Sequence, residues 1–148
     1  MKKLATILTL IITLLIGGLN VNASNAGKPL TQYYLVDATG GQATLRSKSQ
    51  MGKMLKSLGF KIVSSGATFK ATRNGTTVTM TKIRNGNKCI INFASQSEVN
   101  QFVESMNKSG WGKSGNSYMH PNVMFGGGVH ATVNGRTVTL IYEWDGSI

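Results

Sequence analysis

Ala71-Thr72-Arg73-Asn74-Gly75-Thr76-Thr77-Val78-Thr79-Met80 and Ala131-Thr132-Val133-Asn134-Gly135-Arg136-Thr137-Val138-Thr139-Leu140 are two versions of one stretch, identical at seven of ten positions. Self-similarity of this kind signals an internal repeat. In each copy Asn-Gly separates two runs of alternating apolar and polar residues, the pattern of a β-hairpin closed by a two-residue turn. Counting outward from Asn74-Gly75 pairs Ala71 with Val78 and Phe69 with Met80 on the inward face. Lys70, Thr72, Thr77, Thr79 and Thr81 then face outward, since side chains alternate along a strand. From Asn134-Gly135, the residues Val129, Ala131, Val138, Leu140 and Tyr142 point inward, and His130, Thr132, Thr137 and Thr139 point outward. A third turn, Asn85-Gly86, leads into Cys89, Ile91 and Phe93 as inward residues. A further strand pair is predicted around Gly40-Gly41, joining 33–36 to 43–45.

Ahead of each matched hairpin lies a helical segment. Ser47 with Gln50, and Ser95 with Glu98, have the spacing of a capping box, in which each side chain satisfies an otherwise unpaired amide. Met51, Met54, Leu55 and Leu58 fall at i, i+3, i+4 and i+7, and so do Val99, Phe102, Val103 and Met106. Gly59 and Gly110 stop the two helices, each followed by an aromatic, Phe60 or Trp111. The offset between the copies is 48 at the caps, 51 at the aromatics and 60 at the hairpins, which implies a longer second helix and an insertion within 116–128. The fold class is therefore α+β: a tandem duplication of a helix-plus-antiparallel-hairpin unit, with the two helices packed on one face of an antiparallel sheet. The repeats span about 42–84 and 87–144 of a single domain covering 24–148. Its threonine-rich opposite face is either simply hydrated, as antiparallel sheets often are, or a contact surface.

The first 23 residues read as a secretory signal peptide. Lys2 and Lys3 form a cationic start, 4–16 is an uncharged apolar run, and Val21-Asn22-Ala23 precedes a cleavage point at Ser24. The apolar run is shorter than the roughly 20 residues that a membrane span needs. The expected product is secreted or periplasmic, bacterial in style, with no transmembrane span after signal removal. Cys89 is the only cysteine, which excludes an intramolecular disulfide, and its apolar setting predicts a small buried hydrophobe.

Charge is lopsided. Residues 24–94 hold eleven Lys or Arg and one acid, Asp37, whereas 95–148 hold three against four acids. The first half thus carries 11 − 1 = +10 and the second 3 − 4 = −1, an asymmetry that steers acidic partners to one side. Lys48, Lys53 and Lys56 on the first helix, with Lys70, Arg73, Arg84 and Lys88 around the first hairpins, are the candidate ligand-binding surface. Lysine dominates and no aromatics interleave, which argues against sequence-specific nucleic acid and for an acidic protein or an anionic envelope component.

Catalytic side chains are scarce: two histidines, one cysteine and five acids. Gly112-Lys113-Ser114 resembles the tail of a phosphate-binding loop, but Asn107 stands where that loop needs glycine, so a connecting turn is expected. Gly126-Gly127-Gly128 reads as flexibility or close approach at the start of a strand. The alternative is a small secreted enzyme or soft-metal protein centred on His120 and His130, the metal held by Met119, His120 and Met124. The preferred reading is a non-catalytic exported binding protein without cofactor, an inhibitor being one form of it, whose basic first repeat engages an acidic partner.

Overall fold

The computed structural model describes residues 25–37, 44–64, 66–121 and 127–144. The expected leader, Gly40-Gly41 and Met124 lie outside the described residues. Helix α1 (Lys48–Ser57) starts where the Gln50 amide donates to Ser47 Oγ at 3.4 Å, and helix α2 (Gln96–Lys108) where the Glu98 amide donates to Ser95 Oγ at 3.2 Å. The return halves of the two capping boxes are replaced by other contacts. Ser47 N–H donates to Thr44 O, Gln50 Oε1 is buried with no hydrogen-bond partner among the described residues, and Glu98 accepts the Thr76 hydroxyl at 2.6 Å. Both helices end alike: Phe60 N–H donates to Leu55 O and Trp111 N–H to Met106 O, while Gly59 and Gly110 donate to Lys56 O and Asn107 O. These are the paired bonds of a Schellman ending, which satisfies carbonyls the helix leaves open.

Eight strands form one antiparallel sheet: β1 (Lys61–Ser64), β2 (Thr68–Arg73), β3 (Thr76–Ile83), β4 (Gly86–Asn92), β5 (Gly112–Ser114), β6 (Ser117–Met119), β7 (Gly127–Asn134) and β8 (Thr137–Trp144). Their order, β1-β2-β3-β4-β8-β7-β6-β5, makes two four-strand meanders that meet along a central β4–β8 seam. The fold is α+β, as the hydrophobic periods predict. The inward residues Phe69, Ala71, Val78, Met80, Cys89, Ile91, Phe93, Val129, Ala131, Val138, Leu140 and Tyr142 are all buried. The apolar stripes of both helices join that same cluster, and α2 is longer than α1, 13 residues against 10.

Register corrects the turns. The first hairpin pairs Ala71 with Val78 and Phe69 with Met80, closing on Asn74 (φ +49°) and Gly75 (φ +86°), as expected of a turn with both central residues left-handed. The second pairs Asn134 with Thr137, so its turn is Gly135-Arg136, with only the glycine at positive φ. The third pairs Ile83 with Gly86 and turns at Arg84-Asn85 rather than Asn85-Gly86. Long-range bonds choose the second turn: Arg136 O accepts from Phe93 N–H, Arg136 Nη1 donates to Ala94 O, and Asn116 brackets Val133 through both of its backbone groups. The two Asn-Gly hairpins also hold different places, joining the second and third strands of the first meander but the third and fourth of the second.

No strand pair forms across 33–45 among the described residues. Tyr33–Asp37 is a wide helical turn of π type and Thr44–Arg46 a 3-10 turn. Consecutive apolar residues explain this, because a strand would send alternate ones to solvent, whereas Leu35, Val36 and Leu45 are all buried. Side chains tie the turns down: Thr44 Oγ1 donates to Tyr34 O, and Asn87 Nδ2 donates to Leu45 O and Arg46 O. Gly112-Lys113-Ser114, expected as a turn, is the edge strand β5.

Cys89 sits in the seam opposite Leu140, fully buried. Burial pushes its thiol from 9.0 up to about 12. An acid whose folded pKa is raised contributes stability that is complete below its unfolded pKa and is lost above it. Stability is therefore expected to fall as pH climbs from about 9 toward 12, by at most about 1.4 kcal/mol per unit. Denaturant titrations across that range check the slope, with Cys89→Ala as the variant that lacks it. Native protein should also resist alkylation until it unfolds; labelling at a free-thiol rate would mean that the seam opens locally.

Candidate functional site

The polar side of α1 follows from its period. Met51, Leu55 and Leu58 turn inward, which leaves Lys48, Lys53 and Lys56 exposed on the other side. No acid occupies the first turn of α1, although the partial positive charge of a helix N-terminus favours one there. Lys48, Lys53 and Lys56 line a groove of about 430 Å³ beside Ile62 and Phe69.

Lys48 also forms one wall of a larger cleft, about 740 Å³, between the start of α1 and the β3–β4 turn. Arg46, Lys82 and Arg84 supply further cations, and Asn87 and Tyr142 line it as well. Every charged residue lining the cleft and the groove is a lysine or arginine among the described residues. Asn87 holds the Thr44–Arg46 turn against the sheet through two side-chain hydrogen bonds, and so places Arg46. Tyr142 is only 3% exposed, and its hydroxyl has no hydrogen-bond partner among the described residues. Glu143, the next residue, alternates to the opposite side and is exposed.

The seven nominated cations divide into three groups. Lys48, Lys53, Lys56 and Arg84 gather around the cleft and groove. Lys70 and Lys88 lie on the outward sheet face, opposite Thr79 and Thr81 of β3. Arg73 is a structural residue: its Nη1 donates to Lys28 O and Leu58 O at 2.8 and 2.6 Å, and its guanidinium lies 4.6 Å from the Phe60 ring centroid. Burial lowers the Arg73 pKa, and the Glu98 charge pulls it the other way.

Arg46, Lys82, Asn87 and Tyr142 escaped the sequence reading. For the two cations the signal was there, in the first-half charge, but their convergence depends on strand pairing. Tyr142 was read as core, and a buried phenol in need of a partner was the clue.

Of the residues nominated for a soft metal, Met119 and His120 are described and point to opposite sides of the sheet, and Met124 lies outside the described residues. Met119, 56% exposed, lies opposite His130 on the outward face and lines a shallow groove with it. His120 is buried on the core side, its ring edge-on to Trp111 at 5.1 Å. The two imidazoles proposed for catalysis therefore face opposite sides of the sheet. Compared with known proteins, the chain matches no family model, no curated protein and no solved structure.

Proposed function

We propose that the chain is an exported, non-catalytic binding protein whose basic first half captures an acidic partner, an envelope polyanion or an acidic protein. The observation that carries this is the gathering of Arg46, Lys48, Lys53, Lys56, Lys82 and Arg84 around two adjoining depressions, with no acid in either lining among the described residues. Clustered cations of this kind hold polyanions by displacing their counterions, with affinity that falls steeply as salt rises. Export rests on residues 1–23; the protein recovered from periplasm or medium should begin at Ser24 by mass spectrometry, and a product retaining Met1 would count against it.

We also read the two halves as copies of one unit, at a single offset of 51. Gly59 and Gly110, Phe60 and Trp111, the turns Arg84-Asn85 and Gly135-Arg136, and the bounds of β3 and β7 all support that offset. On this reading the counterpart of the β7–β8 hairpin is the β3–β4 hairpin, and the insertion of 60 − 51 = 9 residues demanded by the Asn-Gly match is not needed.

Reversal of the exposed pair, Lys53→Glu with Lys56→Glu, tests the surface without touching the core. Binding to phosphatidylglycerol vesicles should weaken at least about tenfold, and its log–log salt slope should shrink by about 2, one unit for each lost contact. A double variant that folds normally by circular dichroism and binds as before would overturn the reading.

A further inference from the structure

The larger cleft differs from a merely basic surface in one respect. Beside its cations, Tyr142 keeps a hydroxyl buried and unpartnered among the described residues. An unmet buried hydroxyl costs on the order of 1–3 kcal/mol, so such groups usually serve something. Lys48, the first residue of α1, lines the same space, and the first turn of α1 carries no acid. Lys82 and Arg84 come from the last residues of β3 and its turn, and Arg46 from the 3-10 turn that Asn87 pins. Two separate stretches of chain, 46–48 and 82–84, thus deliver four cations to one concavity. Its volume of about 740 Å³ falls in the range of roughly 300–1,000 Å³ that small-molecule sites occupy.

We propose that this cleft is a binding site for a phosphate-bearing ligand, held by Arg46, Lys48, Lys82 and Arg84, with the Tyr142 hydroxyl as a buried hydrogen-bond donor. The inference rests on the proposed function and names the seat of the anion within it. A phosphate group brings close to two negative charges and three acceptor oxygens. That matches four cations and a hydroxyl better than a single carboxylate does, and the planar Arg donors suit phosphate oxygens. The phosphate arrives either on a soluble molecule or on a lipid headgroup, the chemistry being the same.

Calorimetric titration of the purified protein with pyrophosphate and with glucose 6-phosphate, glucose being the uncharged control, measures the soluble source. Vesicles of phosphatidic acid against phosphatidylcholine, with pyrophosphate as competitor, measure the lipid source. Binding to either phosphate source, lost at least tenfold in Lys82→Glu/Arg84→Glu, is the expected result. Tyr142→Phe separates a ligand group from a packing residue. It should fold with equal or higher thermal stability, because an orphan hydroxyl is removed, yet bind phosphate several-fold more weakly. Unchanged affinity in both variants would overturn the site. Vesicle binding that is lost on Lys53/Lys56 reversal, in a protein indifferent to pyrophosphate and to Lys82→Glu/Arg84→Glu, would overturn the cleft and leave the proposed function standing. Indifference to every phosphate source would overturn the cleft and, with it, the envelope-polyanion form of the proposed function.

Discussion

Gly86→Ala should cripple the fold, while Gly128→Ala should leave it intact. Both glycines flank Glu143 of β8, one from β4 and the other from β7. A Cβ on Gly86 would lie 1.8 Å from Tyr142 O and 2.8 Å from Tyr142 C, whereas a Cβ on Gly128 meets nothing within 4 Å. The obstacle at Gly86 is strand backbone, which has no rotamer to escape into, so β4 and β8 must separate or shift. That seam is where the two meanders join. A loss of roughly 3 kcal/mol or more is expected, at the upper end for overpacking. At Gly128 the change should be neutral or mildly stabilising, since alanine has less backbone freedom to lose on folding. Urea denaturation of the two variants measures both values. If Gly86→Ala stayed within about 0.5 kcal/mol of the parent, the close approach at that end of the seam would not exist in solution.

Gln32→Leu should be nearly as damaging, for a different reason. Gln32 is 1% exposed and ties the N-terminal segment to α2 and its stop. Its Oε1 accepts from Trp111 Nε1 at 3.2 Å, and its Nε2 donates to Ser109 Oγ at 2.6 Å. Its backbone N–H, donating to Ser105 Oγ, survives the substitution. Leucine fills similar space but strands the buried indole N–H of Trp111, while exposed Ser109 recovers water. Leaving a buried donor unmet costs about 1–3 kcal/mol, and loss of the bonds themselves adds to that. Removing both partners is cheaper than removing one, so Trp111→Phe in the Gln32→Leu background should destabilise by less than the two single changes summed. A strictly additive cycle would mean that the bond contributes nothing.

The helices were legible because their signals are local. A serine cap, an apolar stripe at i, i+3, i+4 and i+7, and a glycine before an aromatic all lie within one short stretch, and each behaves as its chemistry requires. The 33–45 region misled because glycines between apolar runs look like a hairpin. What Leu35, Val36 and Leu45 sought was burial on every side, which turns pinned by Thr44 and Asn87 provide. Arg73, nominated with the surface cations, follows Phe69 and Ala71 on the inward face by alternation, and there the carbonyls of Lys28 and Leu58 accept its guanidinium. At the candidate site, the excess of cations could be read from composition, but their meeting could not. Arg46 and Arg84 are 38 positions apart, and only the strand pairing and the Asn87 clamp bring both to one cleft.

By itself, the sequence determined which residues face the core, where each helix starts and stops, and that the first half is strongly basic. These are consequences of periodicity and composition, which need no knowledge of distant partners. The tertiary structure decided which turn each Asn-Gly makes, where in the sheet each hairpin sits, and which cations share a cleft. The reason is geometric. Side chains alternate with a period of two, so moving a strand by two residues leaves every inward residue inward. Only contacts from elsewhere in the chain distinguish those registers, such as Arg136 against Phe93 and Ala94.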